Sequence, residues 1–345
     1  MALLIRAKAI VTCDTDAPQN GITFEKLGLI ENGSLLVDPG SGVILRLSKD
    51  AEQRAIGARV EGETEVLDLT DCVIVPGLVD AHTHPLFAGD RREDFCARVE
   101  GRRPPQGMLH TVRETRKALE DPDAFWKTIA ERLRMMLSHG TTTAEVKTGY
   151  ALTTAGELQL LELIDAHKNG GDIPRLVATF LGAHAVPPEF NDQESYVDIL
   201  LSEMLPQAQR HGAVYADAFC EPGFFSAGQT QRYLEAARSH GLRLRAHCDE
   251  MAHGGAARMA AALGVDAVDH CNYINEEDAS AIADRGIVTV ACPATIAYLD
   301  LPQRAPVRRI LELGGVVALA SDYNPGTSPC FNLQTVAYYG RRLFG

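Results

Sequence analysis

No two of the eight cysteines form a C-x-x-C pair, so neither a redox dithiol nor a cysteine-built zinc site is encoded. Their scatter over 345 residues also differs from the short, dense framework of a disulfide-bonded secreted domain and fits a reduced compartment. No apolar run reaches membrane-spanning length, and MALLIRAKAIVTCD is too short an apolar start for a signal peptide, which points to the cytoplasm. Nor is there a basic excess: 33 Lys and Arg stand against 46 Asp and Glu, a net charge of −13. That balance argues against nucleic-acid or anionic-membrane binding, which needs a basic face. Low-complexity segments and solenoid repeats are lacking too. What is present is an ordinary globular composition, 46% hydrophobic and 23% charged.

Two regions differ in pattern. Residues 1–77 carry short β-like runs (LLIRAKAIVTC, GSLLV, GVILRLS, TEVLDLT) with Asp-Pro-Gly-Ser-Gly at 38–42 as a hairpin turn, which predicts a small β domain. From residue 78 to 345, short apolar strands alternate with amphipathic stretches such as AGELQLLELIDAHK, QTQRYLEAARSH and GGAARMAAALG. Strand ends are expected near Asp80–His84, Ala144–Lys147, Phe180–Leu181, Phe219–Cys220, Ala246–Cys248, Asp269–His270, Val290–Ala291 and Ala320–Asp322. Eight such alternations predict a (β/α)8 barrel of the α/β class rather than a doubly wound sheet.

The eleven histidines separate by position. His139, His211 and His240 each precede a glycine and His167 precedes Lys-Asn-Gly-Gly, so these four are expected at helix C-termini, where a cationic side chain suits the dipole. His110 and His253 (the latter expected to open a helix) read as solvated. His82, His84, His184, His247 and His270 fall at expected strand C-terminal ends, where the active site of a barrel lies.

In VPGLVDAHTHP, His82 and His84 stand two apart on a strand and therefore face one point. Asp322 follows the apolar run GVVALAS, where a carboxylate is costly unless paired or ligated, although Asp also caps helices. With His247, which ends LRLRAH, these residues offer three nitrogens and one oxygen, a set suited to one catalytic Zn or Fe ion. Such an ion lowers the pKa of water toward neutrality. Glu250, three residues after His247, and His270, ending the next strand, are placed to move the proton.

At these residues the chain resembles the amidohydrolase superfamily, in its mononuclear-metal branch with H-x-H, H-x-x-E, H and D on strands 1, 5, 6 and 8. Within that branch it is similar to the imidazolonepropionase family, through PLFAGDRRED, TTTAEVKTGYAL, ATFLGAHAVPPEF, FCEPGFFS and ALASDYNPGTSP, over about residues 66–330. The resemblance implies that His82, His84, His247 and Asp322 take the metal, with Asp322 also among the catalytic groups. It implies that Arg91, Tyr150 and His184 hold the imidazolone ring and propionate, and that Glu250 and His270 assist water attack. Glu250 would also contact substrate, and Asn324, Gly326 and Thr327 would form the loop holding substrate or product. The implied reaction is hydrolysis of the ring amide of 4-imidazolone-5-propanoate to N-formimidoyl-L-glutamate in histidine degradation. A deaminase or other amidohydrolase acting on a related heterocycle is the alternative, and a non-catalytic barrel homologue the second. The partner expected is a small anionic heterocycle, with no nucleic acid and no membrane, and a homodimer stands as the open alternative to a monomer.

Two departures from the family pattern set further expectations. The segment CARVEGRRPPQGMLH is shorter than the family's loop and lacks its tyrosine, so Arg102 or Arg103 is a candidate to meet a longer or doubly charged acid. The chain ends at Gly345, soon after strand 8. A shortened C-terminal end is therefore expected, with too few residues for a complete closing helix and with apolar surface of the β domain left uncovered.

Overall fold

The computed structural model describes residues 2–14, 27–49 and 64–345. The chain divides into two compact units, Met1–Gly77 and Leu78–Gly345. In the first, β1 (Ala2–Val11), β2 (Leu29–Val37), β3 (Ile44–Lys49) and β4 (Thr64–Ile74) form one sheet in the order β3-β2-β1-β4. TEVLDLT and the start of DCVIVPG make a single strand, paired parallel to β1 with a register shift between Ala7 and Ala9. The expected turn joins β2 to β3. Asp38 accepts from Gly40 N and Ser41 Oγ, and Gly42 N donates to Asp38 O at 2.7 Å.

The second unit holds eight strands: β5 (Leu78–Thr83), β6 (Thr141–Lys147), β7 (Arg175–Ala183), β8 (Tyr215–Cys220), β9 (Arg243–Cys248), β10 (Ala267–His270), β11 (Val288–Ala291) and β12 (Val316–Leu319). They pair parallel in sequence order, as the alternation predicts. The ring closes beyond the end of β12. Asp322 N donates to His82 O at 3.0 Å, His84 N to Tyr323 O at 2.9 Å, and Ser321 N to the Asp80 carboxylate at 3.0 Å. These bonds join residues some 240 apart and fix 321–323 against the His-x-His segment.

Helices cover the strands because their apolar positions recur at helical spacing. Pro122–Ser138 starts with Asp121 accepting from Ala124 N, has Pro at its first position, and buries Phe125, Ile129, Leu133 and Met136 on one face. Burial of each such side chain stabilises by about 1.5–3 kcal/mol. The residues after β12 depart from expectation. They form a twelve-residue helix, Leu333–Phe344, capped by Asn332, which accepts from Gln334 N and Thr335 N, with Leu333, Val336 and Gly340 buried.

The interior of the barrel is charged rather than apolar. Lys147 Nζ bonds Glu145 at 2.8 Å and Asp217 at 2.7 Å and lies 3.7 Å from Asp269, while Arg245 bonds Asp269 at 2.6 Å. All five side chains are buried. Buried charges persist only when paired and hydrogen-bonded, and here two cations meet three carboxylates directly beneath the histidines.

Candidate active site

Eleven of the twelve site residues expected from sequence line one cavity of about 140 Å³ at the C-terminal ends of the strands, and the twelfth, His82, lies buried behind it. Nε2 of His82 and Nε2 of His84 stand 3.1 Å apart, and each lies 3.4 Å from Asp322 Oδ1. Tetrahedral ligands bonded at about 2.0–2.1 Å to one zinc ion sit roughly 3.3 Å from one another, so these spacings fit a shared cation. The ligand atoms of His82, His84 and His247 lie within 4.8 Å of one another, as do those of Glu250, His270 and Asp322.

The barrel interior orients the imidazoles. His247 Nδ1 bonds Asp217 at 3.2 Å, and His82 Nδ1 lies 3.1 Å from Asp269 Oδ2, off the line of a good hydrogen bond. A carboxylate accepts only, so His247 Nδ1 carries the proton and its Nε2 lone pair faces the cluster. Burial, and then the Lys147 charge, push the pKa values of His82 and His247 well below the ordinary value, which keeps both rings neutral as ligands must be. The group Asp217, His247 and Asp269 is also close enough to hold an ion, but the Lys147 ammonium already fills that place.

Glu250 sits on the loop after β9. Glu221 at the end of β8 accepts from Glu250 N at 2.9 Å and Met251 N at 3.1 Å, and Asn272 Nδ2 donates to Glu250 O. Burial, followed by the neighbouring Asp322 and Glu221 carboxylates, raises the Glu250 pKa well above its usual range. A carboxylate so raised is a stronger base. His270 Nδ1 lies 3.8 Å from Glu250 Oε1, and burial lowers its pKa to about 4. His270, Cys271 and Asp322 adopt positive φ (67°, 57° and 51°), a costly backbone that clusters where chemistry is done.

On the opposite wall, His184 Nδ1 donates to Gly149 O at 3.0 Å, leaving Nε2 toward the cavity as an acceptor. Burial lowers its pKa to about 4, so the neutral form persists. Gly149 is required at φ 103°, since an added Cβ would come within 2.7 Å of Leu181 O and 2.9 Å of His184 Nδ1. Burial also raises the Tyr150 hydroxyl, which stays a donor. Asn324 Oδ1 accepts from Gly326 N and Thr327 N, both at 2.8 Å, and so shapes the 324–327 loop.

Several placements differ from expectation or were not anticipated. Arg102 pairs with Glu100 and is exposed, as is Arg103, and neither lines the cavity. Met108, Phe219, Phe224 and Met251 line it instead, giving it apolar walls. His253 lies three residues ahead of the helix Ala256–Leu263 rather than opening it, and pairs with Asp278 at 2.9 Å. His139, His167 and His211 do end helices, each with Nδ1 bonded at 2.9 Å to the carbonyl four residues earlier. Asp217, Asp269, Lys147 and Asp94 were missed. For Asp217, Asp269 and Lys147 the signal was an ionisable residue inside a short apolar run, the same one that marked Asp322, whereas Asp94 stands among charged residues and carried no such mark.

A parallel eight-stranded barrel with His-x-His at the end of its first strand, His at the ends of the fifth and sixth and Asp after the eighth defines a class of metal-using hydrolases. Residues 73–338 match the amidohydrolase family, and the chain belongs to it. Among curated relatives it is 37% identical over 341 residues to the imidazolonepropionase of Geobacillus kaustophilus, covering 96% of this chain and 79% of that one. It is 38% identical over 339 residues to the imidazolonepropionase of Parabacteroides distasonis, again covering 96% and 79%. Solved structures share the fold: E. coli guanine deaminase (TM-score 0.70, 16% identity, 99% of this chain and 78% of that one) and a zinc-bound adenosine deaminase from Xanthomonas campestris (TM-score 0.67, 16% identity, 99% and 73%).

Proposed function

We propose that the chain hydrolyses the ring amide of 4-imidazolone-5-propanoate to N-formimidoyl-L-glutamate, as an enzyme of histidine degradation using one Zn or Fe ion. The carrying observation is the convergence of His82, His84, His247 and Asp322 beside Glu250 in a cavity whose rim bears Arg91. Curated relatives named imidazolonepropionase support the substrate. A bound divalent ion supplies Lewis acidity, lowering the pKa of water and drawing charge from the amide carbonyl. His82, His84 and His247 present Nε2, and Asp322 presents Oδ1, to hold it.

Glu250 takes the proton from the attacking water and returns it to the departing ring nitrogen. Its raised pKa favours uptake of the proton, and Glu221 and Asn272 hold its backbone in place. His270 donates toward the developing oxyanion or relays the Glu250 proton. The neutral Nε2 of His184 accepts from a ring N–H, and the Tyr150 hydroxyl donates to the ring. Arg91 receives the propionate, since a guanidinium edge matches a carboxylate in two hydrogen bonds. Phe219, Phe224, Met108 and Met251 exclude water from the ring.

The test is turnover of 4-imidazolone-5-propanoate, its methyl ester and cytosine, with metal analysis of the purified protein. The acid should be strongly preferred. Faster turnover of cytosine, or equal turnover of acid and ester, would replace this reading with that of a deaminase on a neutral heterocycle.

A further inference from the structure

Arg91 does not stand free beside the cavity. Its Nε donates to Asp94 Oδ2 at 2.5 Å and its Nη2 to the same oxygen. Asp94 is 1% exposed. Its carboxylate also accepts from two backbone groups of the shortened loop, Gln106 N at 2.7 Å on Oδ1 and Gly107 N at 3.2 Å on Oδ2. Burial alone would raise the Asp94 pKa, but the Gln106 N–H and the Arg91 guanidinium hold it below the usual range. Gly107 starts the helix Gly107–Ala118, from which Met108 reaches the cavity.

The other side of the guanidinium meets the 324–327 loop. A Cβ added at Gly326 would lie 2.9 Å from Arg91 Nη1 and 3.4 Å from Cζ. Arg91 is therefore gripped on its Nε side by Asp94 and approached on its Nη1 side by a residue without a side chain. A guanidinium has five N–H donors. Asp94 consumes the Nε–H and one on Nη2, which leaves the Nη1–Nη2 edge, the edge that receives a carboxylate in two parallel hydrogen bonds.

We propose that Asp94 is a specificity-setting positioning residue: it reserves the Nη1–Nη2 edge of Arg91 for the substrate carboxylate and ties that edge to the loop that brings Met108 over the cavity. The proposal rests on Arg91 as the carboxylate receptor described above. Asp94 touches neither substrate nor the reacting atoms. Its consequence is that the short loop needs no basic residue or tyrosine of its own to recognise the acid, because Gln106 and Gly107 contribute through their amides. Carboxylate selection and loop order then rise and fall together.

The experiment measures KM and kcat for 4-imidazolone-5-propanoate and its methyl ester in wild type, Asp94→Asn, Asp94→Glu and Arg91→Ala, with hydrogen exchange of residues 104–108. An Asn keeps one acceptor oxygen in place of two, so Arg91 with Gly107 N on one oxygen and Gln106 N on the other cannot both be held. The loss of a hydrogen bond to a charged group predicts about a tenfold to hundredfold fall in the acid-over-ester preference of Asp94→Asn. It should arise in KM, with kcat within about threefold of wild type and faster exchange at Gln106 and Gly107. Should Asp94→Asn not fold, Asp94→Glu carries the test. It keeps the charge but moves the acceptor by one methylene, so the preference should fall there too. A wild-type preference in the folded Asp94 variant, with preference lost in Arg91→Ala, overturns the role given to Asp94. An unchanged preference in Arg91→Ala itself overturns the carboxylate reading of Arg91.

Discussion

Asp217→Asn is a near-isosteric change whose effect follows from counting donors. The Asp217 carboxylate accepts from Lys147 Nζ at 2.7 Å on Oδ2 and from His247 Nδ1 at 3.2 Å on Oδ1. An amide has one acceptor oxygen and a donating NH2. If the oxygen stays with Lys147, the NH2 faces His247 Nδ1, and the ring must move its proton to Nε2 to accept from it. That places a proton where the metal would bond. Loss of such a supporting carboxylate typically weakens metal affinity about 10- to 100-fold, or roughly 1.4–2.8 kcal/mol. Lys147 keeps Glu145 at 2.8 Å, so the fold should survive with a lowered melting temperature. The assay is competition with a chelator of known affinity, alongside the melting temperature of the metal-free protein and nitrogen NMR of the His247 tautomer. Metal affinity within about threefold of wild type and an unshifted tautomer, despite a lower melting temperature, would refute the orienting role and leave Asp217 as a structural partner of Lys147.

His247→Ala should abolish most metal binding and activity while the barrel stays folded, and a full equivalent of metal with normal turnover would remove His247 from the ligand set. Glu250→Gln should lower kcat by about 10² to 10⁴ with metal content retained; metal lost in proportion to activity would place Glu250 among the ligands. In the metal-free protein, His184 and His270 have folded pKa values of about 4, below the unfolded value of 6.5. The unfolded chain therefore binds more protons between these values, so stability is full above about pH 6.5 and falls as pH drops toward 4. The loss is on the order of 3 kcal/mol for each ring, and flat stability across that window by denaturant titration would count against both histidines being buried and neutral. Gly149→Ala meets Leu181 O and His184 Nδ1 at φ 103° and should raise KM and lower the melting temperature together; a variant with wild-type values for both would show that the β6–β7 wall yields freely.

Local sequence carried the metal-ligand candidates because each sits where a short apolar run stops, and strand ends converge in a barrel whatever the loops do. His82 and His84 face one way through strand periodicity alone, and the turn at 38–42 follows from Asp, Gly and Ser chemistry over five residues. The alternation of runs from residue 78 onward was likewise enough for the eight parallel strands and their order. Tertiary structure decided which distant groups support those residues. Asp217 meets Lys147 across 70 positions and His247 across 30, and Asp269 meets Arg245 across 24, pairings that exist only once neighbouring strands are in register. Asp322 reaches His82 and His84 because backbone bonds beyond β12 stitch the last strand to the first. The arginines of the short loop show the same limit: Arg102 is drawn outward to Glu100, and Asp94 takes the role of anchoring the loop through two backbone amides that no side-chain pattern reveals. Spacing along a chain shows what an element can present; only closure of the barrel sets what stands opposite it.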